Sequence, residues 1–438
     1  MPHRHRSVFR AVTLAVVATV TASVLAACGG HGASGPPVVN WYTNPDTSGT
    51  TVTAIVAACN KQARGRYRIA LSILPVTADG QREQLVRRLA AGDTDIDLMA
   101  VDPPYTPELA NAGWLYEFTA AERAQVLTGV LASPTRSATW KGKLVGAPYS
   151  ANTQLLWYRK SVAEKAGVNP QAPDFTWDRM LDAAVRTGTT VAEQGLRYEG
   201  YTVWVNALVL SGGGSILTNT DRGRDATVSL DSPAGRRAAE IIRRVARSTA
   251  ADPSLSTAKE ESSRATFDGP RGGFLLNWPY TYAAIQGNVK DGSVPKAVLD
   301  DVGWARYPRV VADRPSTPPL GGVNLAISKF STRKAAAYEA LRCITSPAME
   351  KLRMMKLGDP SANGAVYDDP EIRRLFPMAD LMRASINEAG PRPITPFYGD
   401  VSAAIQRDWH PPASLDPVTV PRRSARLISD VLHDKRLL

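Results

Sequence analysis

Cysteine and histidine are scarce in this sequence. Its 438 residues include three Cys and five His. A disulfide-rich scaffold is excluded, because such scaffolds need several Cys pairs in a short chain. A transition-metal site is also unexpected, since the thiolate and imidazole ligands that these metals prefer are almost missing. We therefore predict neither a metal centre nor a bound cofactor.

Long apolar runs are absent except at one place. Residues 11–27, AVTLAVVATVTASVLAA, are uncharged and follow a segment that holds Arg4, Arg6 and Arg10 but no acid. A basic segment before a short apolar run is typical of a secretory signal peptide. No later stretch approaches the ~18 apolar residues of a membrane span. We predict an exported chain whose mature part does not cross the membrane.

The end of the apolar run predicts how the chain is held at the membrane. Leu25-Ala26-Ala27-Cys28 has the pattern of a bacterial lipobox, in which the Cys thiol is lipidated and becomes the first mature residue. An ordinary signal peptide beside an incidental Cys is the alternative. Lipidation would anchor the protein on the extracytoplasmic face of the cell membrane. Residues 28–37, CGGHGASGPP, have the composition of a flexible tether.

Basic residues outnumber acidic ones, and the formal net charge is +11. Removal of residues 1–27, which hold three Arg and no acid, would leave +8. Such an excess alone would fit nucleic-acid binding. The Lys and Arg are instead spread through amphipathic segments such as REQLVRRLAA, which is typical of solvated helix faces. We predict no nucleic-acid partner.

Two Cys remain in the mature chain, Cys59 and Cys343, and each lies in a helix-like segment. Because an exported chain meets oxidising conditions, we predict that they pair and that their helices are neighbours. Two buried free thiols are the alternative.

Strand and helix patterns alternate from Val38 onward. Residues 38–43 and 66–75 predict strands around a helix at 50–62, and a helix at 81–91 leads to a buried strand at 95–102. This βαβαβ order predicts a parallel sheet, whose ligands bind beyond the carboxyl ends of the strands. Polar residues at those ends are the first candidate ligands: Asn44, Asp46, Gln81 and Asp102.

A second lobe is predicted after this sheet. Residues 140–160 predict two strands around Gly146-Ala147-Pro148. Helices are predicted at 176–187, 232–247 and 260–267, and the strands GGFLLNWP and GGVNLAIS come after them. The expected fold class is α/β, a two-lobed clamp with interleaved lobes joined by hinge strands. The predicted boundaries are a signal peptide at 1–27, a tether at 28–37, lobe 1 at 38–150, lobe 2 at 151–278, a return to lobe 1 at 279–345, and a helical C-terminal part, mostly in lobe 2, at 346–438.

Several segments together resemble a known family. They are NWYT, GDTDIDLMAVDPPYTPELANAGWL, GAPYSANTQLLWYR, GGFLLNWPY and GGVNLAISKFSTRKAAAYEALRCI. With the lipobox, they resemble the extracytoplasmic solute-binding proteins of carbohydrate-import ABC transporters, and among these the mycobacterial trehalose-binding lipoproteins. The resemblance covers essentially the whole mature chain. It implies a periplasmic-binding-protein-like fold that closes around a disaccharide and delivers it to membrane permease subunits, without chemistry on the ligand. We expect a monomer.

The resemblance also implies site residues. By position, Asp102 and Asn152 would bond to sugar hydroxyls. Further wall residues would be Asn277, Trp278, Gly321, Gly322 and Arg392.

The chemistry of sugars explains why these residue types are candidate ligands. Sugar hydroxyls need polar hydrogen-bond partners, and the C–H faces of a sugar ring pack against a flat aromatic ring. Nine Trp against eight Phe agree with this need. Trp278, and Trp204 with Asn206, are predicted where the lobes meet, and core packing is the alternative for both indoles. Tyr105 would be held beside Asp102 by two prolines, although this Asp alternatively caps the next helix.

Two further candidates have their own alternatives. Asn152 is an amide in a strand-like run, where Asn is uncommon, and a turn position would also explain it. Arg392 lies between two prolines, and its planar fork suits vicinal hydroxyls; a solvated loop Arg is the alternative.

The main rival function is an exported glycoside hydrolase, which needs two acids facing each other across the cleft. The predicted second-lobe side offers Asn152, Asn206, Asn277 and Trp278 instead, which favours binding. A serine hydrolase is not supported, because no Gly-x-Ser-x-Gly occurs. We predict a sugar-binding protein and not an enzyme.

Overall fold

The computed structural model describes residues 35–46 and 49–438. The predicted signal peptide and Cys28 lie outside the described residues. The strands are β1 Val38–Thr43, β2 Arg68–Ile73, β3 Leu98–Val101, β4 Thr139–Trp140, β5 Lys143–Leu144, β6 Ala147–Thr153, β7 Leu155–Arg159, β8 Thr190–Ala192, β9 Leu217–Thr218, β10 Thr227–Val228, β11 Gly272–Asn277, β12 Val302–Ala305 and β13 Leu320–Ile327.

Helices fill most of the remaining chain. They are α1 Thr51–Ala63, α2 Ala78–Ala90, α3 Thr106–Asn111, α4 Ala120–Val126, α5 Ala132–Ser137, α6 Lys160–Ala166, α7 Trp177–Thr187, α8 Glu199–Ser211, α9 Pro233–Arg247, α10 Glu260–Asp268, α11 Tyr280–Lys290, α12 Lys296–Asp301, α13 Lys334–Ile344, α14 Pro347–Leu357, α15 Pro370–Leu375, α16 Ala379–Glu388, α17 Tyr398–Trp409 and α18 Thr419–Leu432.

The first lobe is built on a five-stranded sheet with the order β2-β1-β3-β13-β6. Strands β1, β2 and β3 are parallel, as the βαβαβ pattern predicts. Strand β13 is antiparallel to both of its neighbours, β3 and β6. Trp41, Leu98 and Leu325 on these strands are fully buried in one core with Ile55 of α1 and Leu89 of α2.

The second lobe has a four-stranded sheet with the order β12-β7-β11-β8. Successive side chains of a strand point to opposite faces, and β11 follows this rule. Phe274 and Leu276 enter a core with α7, α8, α9, α17 and α18, whereas Leu275 enters a core with α14, α15 and α16 on the other face. Helices therefore cover this sheet on both sides, and the predicted α/β fold with two lobes is confirmed.

The crossing between the lobes differs from the prediction of two strands around Gly146-Ala147-Pro148. A single strand, β6, runs through Pro148, and β7 starts after Gln154. Proline normally interrupts a sheet because it has no N–H. Here the pairing of β6 with β13 shifts register between Val323 and Asn324, opposite Pro148, so a bulge accommodates the ring.

The return to the first lobe lies later in the chain than residue 279. Strand β12 pairs antiparallel with β7 and is therefore part of the second sheet. The chain rejoins the first sheet only at β13. A short strand such as β12 gives little sequence signal, which explains the difference.

A disulfide joins α1 to α13. Cys59 and Cys343 are bonded with their Cα atoms 5.8 Å apart and 284 positions apart in the sequence. The predicted pairing is confirmed, and the predicted neighbourhood of the two helices follows from it. None of the helices within 35–46 and 49–438 has both the length and the apolar character required to cross a membrane.

Candidate functional site

A cleft lies where the carboxyl ends of β1, β3 and β11 meet. Asn44 follows β1, Asp102 follows β3 and Trp278 follows β11, and all three line it. Its volume is about 360 Å³. This value is in the lower part of the ~300–1,000 Å³ range of small-molecule sites. The residues predicted from the sequence that line the cleft are Asn44, Gln81, Asp102, Asn152, Trp278, Gly321, Gly322 and Arg392.

Five predicted residues do not line it: Asp46, Tyr105, Trp204, Asn206 and Asn277. Trp204 is fully buried in the second-lobe core, with its ring 6.1 Å from that of Trp177, so the core-packing alternative is correct for this indole. Tyr105 is buried edge-on against Tyr398. Asp46 accepts a hydrogen bond from the backbone in the first turn of α1.

Two of these side chains support the cleft from behind. Asn277 donates to the backbone carbonyl of Glu260 at 2.9 Å and accepts from the backbone N–H of Trp278 at 2.8 Å. It therefore fixes the turn that carries the indole. Asn206 donates to the carbonyl of Pro391, next to Arg392, at 3.2 Å.

Arg392 connects the two lobes through an ion-pair network. It is 4% exposed and lies in the loop between α16 and α17. Its Nη2 donates to Oδ1 of Asp102 at 2.7 Å, and its Nη1 donates to Oε1 of Glu199 at 2.7 Å. The hydroxyl of Tyr398 also donates to Glu199. Two carboxylates thus hold the guanidinium fork, and its burial excludes the solvated-loop alternative. Arg392 also lines the cleft, and its contact with sugar hydroxyls stays a prediction.

Burial changes the acidity of the cleft carboxyls. Burial raises the pKa of Asp102 to about 6; Arg392 opposes this shift and Glu199 adds to it. Burial also raises the pKa of Glu260. Both shifts arise because the ionised form loses water that the neighbouring charges do not fully replace.

The acids of the second lobe were not predicted from the sequence. Glu199, Glu260 and Glu261 line the cleft, and so does Asp359 after α14. Glu199 opens α8, EGYTVWVNALVLS, and this lone acid on an otherwise apolar buried helix was the available signal. Acids occur at helix starts for local reasons, so position alone does not reveal a ligand. The second lobe therefore offers carboxylates as well as amides and an indole, which corrects the prediction from the sequence.

Asn152 takes part in a second polar group. It lies within β6, opposite Gly321 of β13, and not in a turn. Its amide donates to Oδ1 of Asp359 at 3.3 Å. Arg353 donates to Oδ2 of the same carboxylate at 2.6 Å and lies over the ring of Tyr149. The amide is held between the sheet and a buried charge pair.

Trp278 lines the cleft together with Tyr198 and Tyr280, and its indole is half-buried. Its ring lies against the backbone of β13, since a Cβ on Gly321 would come within 2.8 Å of an indole carbon. Gly322 has φ +122°, and a Cβ there would be 2.3 Å from the carbonyl oxygen of Ser150. Both positions therefore require glycine, because neighbouring atoms leave no room for a Cβ.

The described residues do not contain a group of potential metal ligands. Within the described residues, no cluster of three or more His, Cys, Asp or Glu has an arrangement that would hold a metal ion.

Two α/β lobes around a polar and aromatic cleft define a two-lobed ligand-binding protein. The chain belongs to the bacterial extracellular solute-binding protein family, whose sequence profile matches residues 43–351. It is therefore an exported solute-binding protein and not an enzyme.

Sequence relatives agree with this assignment, and a solved structure matches the fold. A probable ABC transporter-binding protein of Deinococcus radiodurans is 25% identical over 76% of this chain and 78% of its own length. The diacetylchitobiose binding protein DasA of Streptomyces coelicolor is 23% identical over 72% of this chain and 70% of its own. Maltose-bound MalE3 of T. maritima matches the fold with a TM-score of 0.80 at 24% identity, over 90% of this chain and 99% of that one.

Proposed function

We propose that this protein is the sugar-binding component of an ABC importer and that it captures a disaccharide, trehalose or a close analogue, in the cleft. The observation that carries the proposal is the half-buried indole of Trp278 facing a cleft lined by Asp102, Asn152 and Glu260. An indole covers the C–H face of a sugar ring, and carboxylates and amides bond to its hydroxyls. A cleft of about 360 Å³ suits one or two sugar rings better than a long oligosaccharide.

The proposed mechanism is closure around the sugar. Asp102 belongs to the first lobe, whereas Glu260 and Trp278 belong to the second. A ligand that contacts both sides stabilises the arrangement in which the lobes are close. The closed, loaded form is the species that the membrane permease subunits receive.

The test is a panel of trehalose, maltose, sucrose and glucose, measured by thermal shift and calorimetry with purified protein. We expect one disaccharide to raise the unfolding temperature and to bind tightly, with glucose weaker. Stabilisation by none of the sugars contradicts sugar binding. Slow release of glucose from a disaccharide contradicts a pure binding role.

Two matched variants test whether the sugar binds in the cleft. Asn152→Ala removes the cleft amide, and we expect at least about a tenfold loss of affinity, because a sugar hydroxyl then loses a hydrogen-bond partner in the cleft. Asn111→Ala removes an exposed amide of α3 and serves as control. Equal affinities of the two variants would remove Asn152 from the site.

We also propose that Cys28 carries a lipid and that residues 28–37 tether a monomeric binding protein to the extracytoplasmic face of the membrane. The LAAC sequence at residues 25–28 supports this. Mass spectrometry of the protein from its native membrane should show an acylated N-terminal Cys, and Cys28→Ala should release the protein. An unmodified N-terminus that is not Cys28 would contradict the anchor.

A further inference from the structure

The charges around the cleft do not balance. Its carboxylates are Asp102, Glu199, Glu260, Glu261 and Asp359, and its cations are Lys259, Arg353 and Arg392. Both guanidinium groups are already paired, Arg353 with Asp359 and Arg392 with two acids. Lys259 is exposed at the edge. An anionic ligand would meet no free buried cation.

Acidic residues also lie at helix N-termini around the cleft. The N-terminus of a helix attracts anions, because its free N–H groups point outward. Four helices start at residues that line the cleft, and three of them have acid in the first turn: Asp79 in α2, Glu199 in α8, and Glu260 with Glu261 in α10. Helix α11, which starts at Tyr280, has none. Three of the four ends are therefore neutralised from within the chain.

We infer that the cleft selects uncharged sugars against anionic ones, and that Glu199 sets this selectivity by neutralising Arg392. This inference rests on the proposed sugar-binding function and names the ligand class of the same cleft. Arg392 beside Asp102 alone would form a neutral pair. Glu199, whose side chain is 5% exposed, adds a second negative charge. Charges at such depth are poorly screened by solvent.

Glu199→Gln tests the role without removing the shape of the side chain. The amide oxygen can still accept from Arg392 and Tyr398, so a purely structural role is preserved. The control is Glu261→Gln, which removes the same formal charge from an exposed cleft position. Calorimetry compares trehalose with trehalose 6-phosphate, and glucose with glucose 6-phosphate.

The expected result is a change in the ratio of neutral to anionic affinity. Wild type should bind each phosphate at least about a hundredfold more weakly than the parent sugar. Glu199→Gln should reduce this ratio about tenfold or more, and Glu261→Gln should reduce it less. If wild type binds sugars and their phosphates equally well, the inference about charge selectivity is wrong, but the proposed sugar-binding function is not affected. Equal effects of the two variants would remove Glu199 as its cause.

A measurement on wild type keeps the inference testable if Glu199→Gln does not fold. A sugar phosphate changes from about one to about two negative charges between about pH 5 and about pH 8, so in wild type the ratio of neutral to phosphate affinity should rise several-fold over this range. A pH-independent ratio would contradict exclusion by charge. Absence of binding by every sugar would overturn the proposed function and this inference together.

Discussion

The position of the Trp278 indole depends on the absence of a side chain at Gly321. Gly321→Ala would place a methyl group 2.8 Å from the indole, so the ring must move. We expect at least about a tenfold loss of sugar affinity with little loss of stability, because the indole is half-buried and can swing outward. Calorimetry and tryptophan fluorescence measure both effects.

The control is Gly287→Ala in α11, where a Cβ meets no atom within 4 Å. This variant should bind sugar as wild type does. A Gly321→Ala protein of unchanged affinity would show that the indole does not touch the ligand.

The ionisation of Asp102 should make sugar affinity depend on pH. Its ionised form accepts from sugar hydroxyls, and burial raises its pKa to about 6. Affinity should therefore fall several-fold between about pH 8 and about pH 5. Stability responds in the opposite direction: because the pKa is higher in the folded than in the unfolded state, this group favours the folded state more as the pH falls through 6.

Asp102→Asn is the control for this pH dependence, since Glu260 in the same cleft also has a pKa raised by burial. The variant should bind more weakly at high pH and lose the part of the slope near pH 6. A wild-type affinity constant from about pH 5 to about pH 8 would contradict the role of Asp102.

Much of the site could be predicted from residues at strand ends. Asn44 and Asp102 were predicted there because parallel strands expose their carboxyl ends at one edge. Trp278 was predicted from the resemblance and from its position where the lobes meet. Glu199 and Asp359 were not, since only folding brings a helix start and a post-helix loop to that edge. Trp204 was assigned to the cleft wrongly: an apolar helix that is buried on every side shows no outer face in its sequence.

Elements with strong periodicity were predicted within a few residues. Helix α9, predicted at 232–247, spans Pro233–Arg247, because Ser232 caps it and its apolar residues recur along one face. Helix α2 begins three residues earlier than predicted, since Thr77 accepts from the backbone N–H of Gly80. Strand β6 begins at Ala147, within the Gly146-Ala147-Pro148 segment that the prediction placed between two strands, because a bulge opposite Pro148 depends on pairing with a distant strand.

The link between α1 and α13 predicts a loss of stability without loss of function. Cys59→Ala with Cys343→Ala removes a disulfide that closes a loop of 284 positions. The free energy of unfolding should fall by about 2–5 kcal/mol, measured by urea unfolding. Sugar affinity should stay near the wild-type value, because neither Cys lines the cleft.

Reduced wild type is the matching control and should unfold at the same urea concentration as the double variant. If the variant and the oxidised wild type unfold alike, the disulfide does not contribute to stability.

The whole molecule is predicted to contract when sugar binds. The chain passes between the two sheets after Thr153 and again between β12 and β13, so a few connecting residues can carry a hinge motion. Small-angle X-ray scattering should show a smaller radius of gyration with saturating sugar than without it. Asn152→Ala at the same sugar concentration should show less contraction, and an unchanged radius in wild type would contradict closure.

The position of β13 in the middle of the first sheet also sets an order of assembly. All strands of the second sheet lie between Leu155 and Ala305, so that sheet is complete before Leu320 emerges during N-terminus-first export. The first sheet must wait for β13 to join β3 to β6. Gly321 arrives with this strand and Arg392 only later, so the cleft is complete only after most of the chain has emerged.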